Sequence, residues 1–447
     1  MKRYILSIVL TVTALGALAQ NGIDSPYSRY GLGLLSERAT GFNKGMGGVA
    51  QGFRNGTQVN VANPASYSEV DSLTALFDLG ISLQNGNYKM DKSQQNIKNS
   101  SFDYFAMQFR AFKNVGLTLG IMPISNIKYN ITSSETEVQG SDDVTSSYAY
   151  TGDGGVREVF LGAGWRPFKP ISIGFNVSYL WGDYTHSMKQ IVSQSSAFNM
   201  ARIYSADLSS YRVQAGLQYI QPINKTDKIV FGGTYTLGHD VNSDAYCATQ
   251  TLSSAVVQTQ TIDTIKNAFQ LPHQIAVGVT YYRSNKLRIG ADFELQKWSD
   301  CKFPNQQTNV GSTGSYTSAK GQLYDRTKWS GGLDWTPNPE GSYFKRVTYK
   351  VGGYYSQSYA KADISGIVTD KPYELGVSAG ITLPIQSSHI WHRSNSPKIN
   401  ISAQWVHTNI PYLNATTMTQ KNLTENYLKL CVGLTFNERW FHKWKVQ

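Results

Sequence analysis

Along this chain, apolar residues fall on every second position in many separate stretches. Over 73–83, Leu73, Ala75, Phe77, Leu79, Ile81 and Leu83 hold the odd positions, with Thr74, Asp78, Gly80 and Ser82 between them. Side chains alternate across a strand, so such a stretch has one apolar face and one small or polar face. The pattern returns at 171–182, where Ile171, Ile173, Phe175, Val177, Tyr179 and Trp181 alternate with Ser172, Gly174, Asn176 and Ser178, and again at 287–296 and 373–383. One alternating segment suits a soluble sandwich equally well. A long series of them, each long enough to cross a bilayer at a tilt, predicts an all-β membrane-spanning barrel.

The segments number about 14, at 72–86, 101–112, 115–128, 156–166, 171–185, 203–220, 228–241, 271–282, 286–301, 322–336, 346–359, 371–384, 397–409 and 425–437. An even number is what a single closed antiparallel barrel requires when both ends of the chain lie on one side. Tight turns (Lys113-Asn114, Arg166 to Pro170, Pro222 to Lys228, Arg283 to Lys286 and, more loosely, Pro337 to Lys345 and Pro384 to Pro397) alternate with polar stretches. The longest of these, 129–155, 186–202, 242–270 and 302–321, are expected to be external loops; shorter ones fall near 87–100, 360–370 and 410–424. Both termini are then expected in the periplasm.

The first residues carry an export signal: Lys2 and Arg3, an apolar run from Tyr4 to Leu15, and Ala17-Leu18-Ala19 before a predicted cut at Gln20. The run is shorter than the ~20 residues of a spanning helix. Together with the series of alternating segments, these features predict a chain exported to the outer membrane of a Gram-negative bacterium. Charged residues make up 16% of the chain, below the roughly one quarter of a soluble domain, and mean hydropathy is −0.33, as when apolar and polar faces cancel. The net charge of +11 falls by two to +9 without Lys2 and Arg3. Its cations are scattered through turns with no basic-aromatic module, which argues against nucleic acid. Basic turns and the tail from Arg439 to Lys445 suit anionic lipid headgroups or an acidic partner. Cys247 and Cys301, near external strand ends, are a candidate disulfide; Cys431 takes the lumen phase between Leu430 and Val432. No metal-ligand spacing, cofactor motif or nucleophile with a positioned base appears, so no catalytic residues are assigned and the chain is read as a non-enzyme.

The segment Asn43-Lys44-Gly45-Met46-Gly47-Gly48-Val49-Ala50, followed by Asn60-Val61-Ala62-Asn63-Pro64-Ala65-Ser66-Tyr67, resembles the plug of the FadL family. Leu271-Pro272 opening a strand, Trp298 closing the next, Gly154-Gly155, and Trp165 to Pro167 agree with that family, and the tail around Trp440-Phe441 looks like barrels from Bacteroidetes. The resemblance implies an N-terminal plug, or hatch, at 20–71, behind a signal at 1–19 and before a barrel at 72–437 with a periplasmic tail at 438–447. It also implies passive uptake of hydrophobic compounds through the lumen and a lateral wall opening, with Gly45, Gly47, Gly48, Asn63, Pro64 and Ala65 as the plug motif. Pro123 is the candidate kink at that opening, because proline cannot donate to a neighbouring strand; it is equally the mark of a bulged strand end. By alternation Asp78, Arg110, Arg288, Asp292 and Glu294 face the lumen, paired with one another or the plug, or hydrated. One departure is plain: 132–155 is polar throughout, unlike the apolar capture loop of fatty-acid transporters in that family. The alternative is a scaffold barrel serving as a subunit of an outer-membrane secretion or assembly complex. The expected partners are outer-membrane lipids together with a hydrophobic small molecule or such subunits.

Overall fold

The computed structural model describes residues 24–72, 74–90, 93–139, 142–194, 197–253, 256–305, 315–361, 370–385, 396–414 and 419–439. The expected export signal at 1–19 and the residues beyond 439 lie outside them. Fourteen antiparallel strands close into a barrel: β1 Thr74–Met90, β2 Ser93–Phe112, β3 in two halves (Val115–Pro123 and Ser125–Gln139), β4 Asp142–Phe168, β5 Ile171–Val192, β6 Asn199–Pro222 and β7 Asp227–Thr236. Then follow β8 Gln274–Arg283, β9 Leu287–Gln296, β10 Arg326–Trp335, β11 Thr348–Gln357, β12 Tyr373–Pro384, β13 Lys398–Asn414 and β14 Thr419–Arg439. The cylinder shuts where β1 meets β14, from Thr74 opposite Arg439 to Met90 opposite Leu423. Closure is what lipid demands, because an unpaired backbone amide in hydrocarbon costs several kcal/mol.

The faces follow the pleat. Leu83, Leu161, Phe175, Leu217, Phe231, Trp329 and Leu430 are exposed around the outside. Asp78, Ser82, Gln108, Asn176, Gln218, Lys350 and Gln404 are buried within. Aromatic pairs such as Tyr179–Trp181 and Trp335–Tyr349 stand near opposite ends of the apolar belt, the usual interfacial girdles.

Several stretches read as external loops are strand. The hairpin of β3 and β4 continues from Ile127 opposite Gly154 to Gln139 opposite Asp142, through the supposed loop 129–155. β5 and β6 likewise run into 186–202, and 242–270 contains the hairpin Ala245–Ser253/Val256–Ile265, whose first strand pairs with β6 from Tyr246 opposite Ser205 to Leu252 opposite Asn199. Beyond the membrane no face must be apolar, so the period-two hydrophobic signal fades while the backbone ladder goes on. β14 also extends to Arg439, two residues into the stretch assigned to the tail.

The described chain does not begin at the short-turn end. Asp24 N–H donates to Asn99 Oδ1 at 3.1 Å and the Asp24 carbonyl accepts from Tyr88, both near the far tip of the β1–β2 hairpin, whereas Arg439 ends at the level of Thr74. The expectation that both ends of the chain lie on one side therefore does not fit the first described residue. From Asp24 the described chain runs down through the lumen before starting β1.

Candidate functional site

The plug meets the wall through close backbone contacts and buried polar groups. Near its upper end, Leu34–Leu35 adds a short antiparallel strand to the second half of β3, opposite Asn126 and Ser125. The helical turn Gly41–Lys44 follows. Gly45 packs on Gly380; Gly47 and Gly48 turn with φ of +67° and +85°, and the Gly47 N–H donates to Ser378 Oγ at 2.9 Å. A Cβ on Gly47 would stand 2.6 Å from the Gly353 carbonyl, so both conformation and space call for glycine. Lower down, Asn63 caps the 3-10 turn Pro64–Glu69: its Oδ1 accepts from the Ala65 N–H at 3.1 Å, and its Nδ2 donates to the Gln51 carbonyl at 2.9 Å and the Leu217 carbonyl at 3.3 Å. Pro64 takes the first helical position, where its missing N–H costs nothing, and presses on Gly174 of β5. Ala65 is fully buried.

Three of the five lumen-assigned charges reach the plug, and a fourth pairs within the wall. The Asp292 carboxylate accepts from the N–H groups of Ala50 and Gln51 at 2.6 and 2.8 Å. Asp78 accepts from the Tyr104 hydroxyl at 2.7 Å, which in turn accepts from the Gly41 N–H at 2.6 Å. Arg288 binds Asp334 at 2.7 Å and lies 4.8 Å over the Phe53 ring. Glu294 pairs with Arg326 at 3.4 Å and accepts from Gln296. Arg110 joins none of this: it stays at the short-turn end, donating to the Phe112 carbonyl at 3.3 Å.

Other groups complete the contact and were not singled out from the sequence. Lys44 pairs with Asp103, and Glu37 with Lys328. Arg54 binds Glu69 at 2.6 Å, which also meets Arg166 at 3.2 Å. Arg38 reaches Glu158 at 2.8 Å, with Arg212 on the other carboxylate oxygen at 3.6 Å; the charges touch, but neither oxygen lies in hydrogen-bond alignment. Glu158 was legible, since Val159 and Leu161 face outward and Glu158 takes the opposite phase. Lys44, Arg38 and Arg54 sit in a plug without periodicity, so no pattern marks them. Burial pushes the Glu37 carboxyl up, but Lys328, then Lys429 and Lys44, more than offset this and hold it below the usual range. Glu69 is likewise depressed, burial being outweighed by Arg54 first.

Between plug and wall lies a cavity of about 130 Å³ whose charged lining includes Arg38, Glu158, Arg212, Asp292, Glu294 and Lys328, with Ile124 and Trp298 on an apolar side. A second of about 130 Å³ abuts a break in the wall. There β2 and β3 pair only from Phe112 opposite Val115 up to Phe105 opposite Ile121. Above that, the described 93–104 edge of β2 has no partner strand, and β3 is interrupted at Ile124, immediately after Pro123. The Ile124 N–H turns to the Val156 carbonyl and its carbonyl accepts from Ser36. The gap is occupied by the plug's upper segment: Asp24 on Asn99 of β2, Ser25 N–H on the Lys128 carbonyl, and Leu34–Leu35 on β3.

The mouth above is closed by an apolar cluster of Leu32, Tyr184, Tyr204, Phe269, Trp298, Phe303 and their neighbours, from the tall strands and the segments beside them. Cys247 and Cys301 belong to it, yet they are free thiols; Cys301 Sγ donates to the Lys297 carbonyl at 3.3 Å instead, so the candidate disulfide is absent. Cys431, also free, is buried between outward Leu430 and Val432.

A family model described as BamG matches residues 1–447. No curated protein sequence matches. Among solved structures, a FadL homologue of Pseudomonas aeruginosa is similar at 12% identity and TM-score 0.60, covering 90% of this chain and 99% of its own. The toluene transporter TodX of P. putida is similar at 14% and 0.58, covering 92% and 100%. The toluene transporter TbuX of Ralstonia pickettii is similar at 14% and 0.56, covering 91% and 99%. At such identities the likeness is one of fold, a closed β-barrel with an N-terminal plug in its lumen.

Proposed function

The chain belongs to the BamG family, and from that premise we propose that it is a sealed, non-conducting barrel that serves as a subunit of an outer-membrane assembly complex. The observation that carries this reading is double closure. The lumen is filled by a plug pinned through Lys44–Asp103, Glu37–Lys328 and Arg38–Glu158–Arg212, and the mouth by an apolar cluster. Eight charged side chains line the cavity (Glu37, Arg38, Glu158, Arg212, Asp292, Glu294, Arg326 and Lys328), so what an apolar solute gains on the side of Ile124 and Trp298 is offset by the water it strips from ionised groups. A barrel that is rigid and shut is suited to holding other proteins in register. In this reading the short turns face the periplasm, the long strands face outward, and residues 1–19 direct export.

Mild-detergent purification followed by native mass spectrometry tests it. A stoichiometric protein assembly, with reconstituted barrel that leaves liposomes tight to small solutes, is the expected result. A lone barrel carrying a lipophile would overturn it.

A second reading has one observation in its favour, the wall break beside Pro123. There an apolar compound would leave the lumen sideways between β2 and β3, with the Leu34–Leu35 segment displaced. Uptake of a membrane-soluble probe, lost in Pro123→Val, is its test; unchanged uptake removes Pro123 from any gating role.

A further inference from the structure

The short-turn rim carries a ring of cations that the plug does not use. Lys113, Lys169, Lys225, Lys286 and Lys345 stand on five successive short connections, β2–β3, β4–β5, β6–β7, β8–β9 and β10–β11, and all five are exposed. None makes an ion pair among the described residues. Other cations nearby are spoken for: Arg166 by Glu69, Lys228 over the Tyr282 ring, Arg346 over Tyr343. The acids on these turns are Asp227, which already accepts from Asn224 and Tyr281, and Glu340.

Each free lysine also has an exposed apolar neighbour. Phe112 (75% exposed) precedes Lys113, Phe168 (67%) precedes Lys169, and Phe344 (77%) precedes Lys345. Ile223 is exposed two residues before Lys225, and Trp335 is exposed at the strand end whose next residue, Thr336, donates to the Lys286 carbonyl. Large rings left in the open at a strand end are stable where hydrocarbon meets headgroups. They set the depth of the adjoining ammonium groups at the phosphate layer, and Lys stems reach that layer readily.

We infer that this rim is a binding surface for the phosphodiester headgroups of anionic phospholipids in the leaflet it borders. The choice of lipid over an acidic protein rests on the rings. A protein docking from the aqueous side would meet the ammonium groups but leave unused Phe112 and Phe168, which stand at strand ends opposite Val115 and Ile171. The inference holds whether the barrel is a scaffold or a conduit.

The test uses the full chain in mild detergent, titrated with phosphatidylglycerol or phosphatidylcholine and read by native mass spectrometry. A cation close to an anionic bilayer surface contributes roughly fivefold in affinity, so a preference for phosphatidylglycerol of at least about tenfold is expected, falling as salt rises. Replacing the five lysines together (Lys113→Gln, Lys169→Gln, Lys225→Gln, Lys286→Gln, Lys345→Gln) should erase the preference, and the matching Lys→Arg set should keep it. Heat-modifiable gel migration reports whether each set folds. Equal binding of the two lipids by the wild type, or a preference that survives in the Gln set, overturns the inference. A Gln set that sheds a protein subunit while the wild type shows no lipid preference makes the rim a protein-docking surface and overturns it equally.

Discussion

The plug–wall contact and the mouth cluster fill the same cylinder with opposite chemistry. In the lumen, Asp292 holds two plug amides, Glu158 sits between Arg38 and Arg212, and Lys350 donates to the Phe42 carbonyl at 2.6 Å. At the mouth, Tyr184 packs edge-on against Phe269 and Phe303, with Leu180, Met188 and Tyr204 around them. The difference lies in how the two surfaces come together. The mouth cluster is built largely from strands that extend the wall itself, so its apolar faces are brought together by hairpins already in register. The plug is a separate stretch of chain, and the wall it meets must stand in water until it arrives. A polar lumen tolerates that wait, and charge pairs then fix one seating among many.

The contrast breaks most visibly if Tyr184→Ala behaves like a lumen change. Removing a fully buried ring costs about 3–5 kcal/mol. Amide exchange across the 245–265 hairpin should therefore accelerate by roughly two to nearly four orders of magnitude, in line with that energy. Exchange along the β1–β14 seam should stay as it is; acceleration there too would mean that mouth and barrel are one cooperative unit. Next in size is Glu158→Gln, which leaves two guanidinium groups facing one another at a cost of roughly 3 kcal/mol. Its signature should be protease access to the plug, with hairpin exchange untouched. Gly232→Val probes fit rather than charge. A Cβ at Gly232 would fall 1.8 Å from the Gln51 carbonyl oxygen, so the 46–54 segment should be expelled and become cleavable while the barrel still migrates as folded.

Acid offers a milder probe of the same contact. Glu37 and Glu69 are held below the ordinary carboxylate value of 4.5 when the plug is seated. A depressed carboxyl contributes stability that is complete above its unfolded pKa and is lost as pH falls through the folded one. Plug protection should therefore be full at pH 7 and decline below about pH 4.5. Glu37→Gln should weaken protection at pH 7 and flatten the acid response; a loss of protection on raising pH would contradict the sign.

The sequence announced the part of this fold that touches lipid and was quiet about the rest. Leu79, Ile81 and Leu83 alternate because one face needs hydrocarbon, and that requirement ends at the headgroups. The ladder from Ile127 to Gln139 and the hairpin at 245–265 lie beyond it, so polar strand there reads as loop. Asp292 and Glu158 could be placed by phase alone. Their partners Ala50 and Arg38 could not, since the plug has no period and its contacts join residues far apart in the chain. The wall break was marked by Pro123, but not the segment that fills it: Leu34–Leu35 is two residues of strand, too short to leave a pattern.

The smallest effect expected is none, and it bears on the mouth. Cys247 and Cys301 share one apolar cluster in a compartment that permits disulfides, and a bridge between them would staple the hairpin to the turn after β9. The structure keeps them apart as buried thiols. Burial first, then Asp300 and Asp325, pushes the Cys301 thiol up to about 12, so almost no thiolate exists at neutral pH to start an exchange. Reductant should leave exchange across 245–265 unchanged, and alkylation of the folded protein at Cys301 should be slow until denaturant is added. A hairpin that loosens on reduction would show a bond between these cysteines, and would mean that the mouth is closed by covalent chemistry rather than by packing alone.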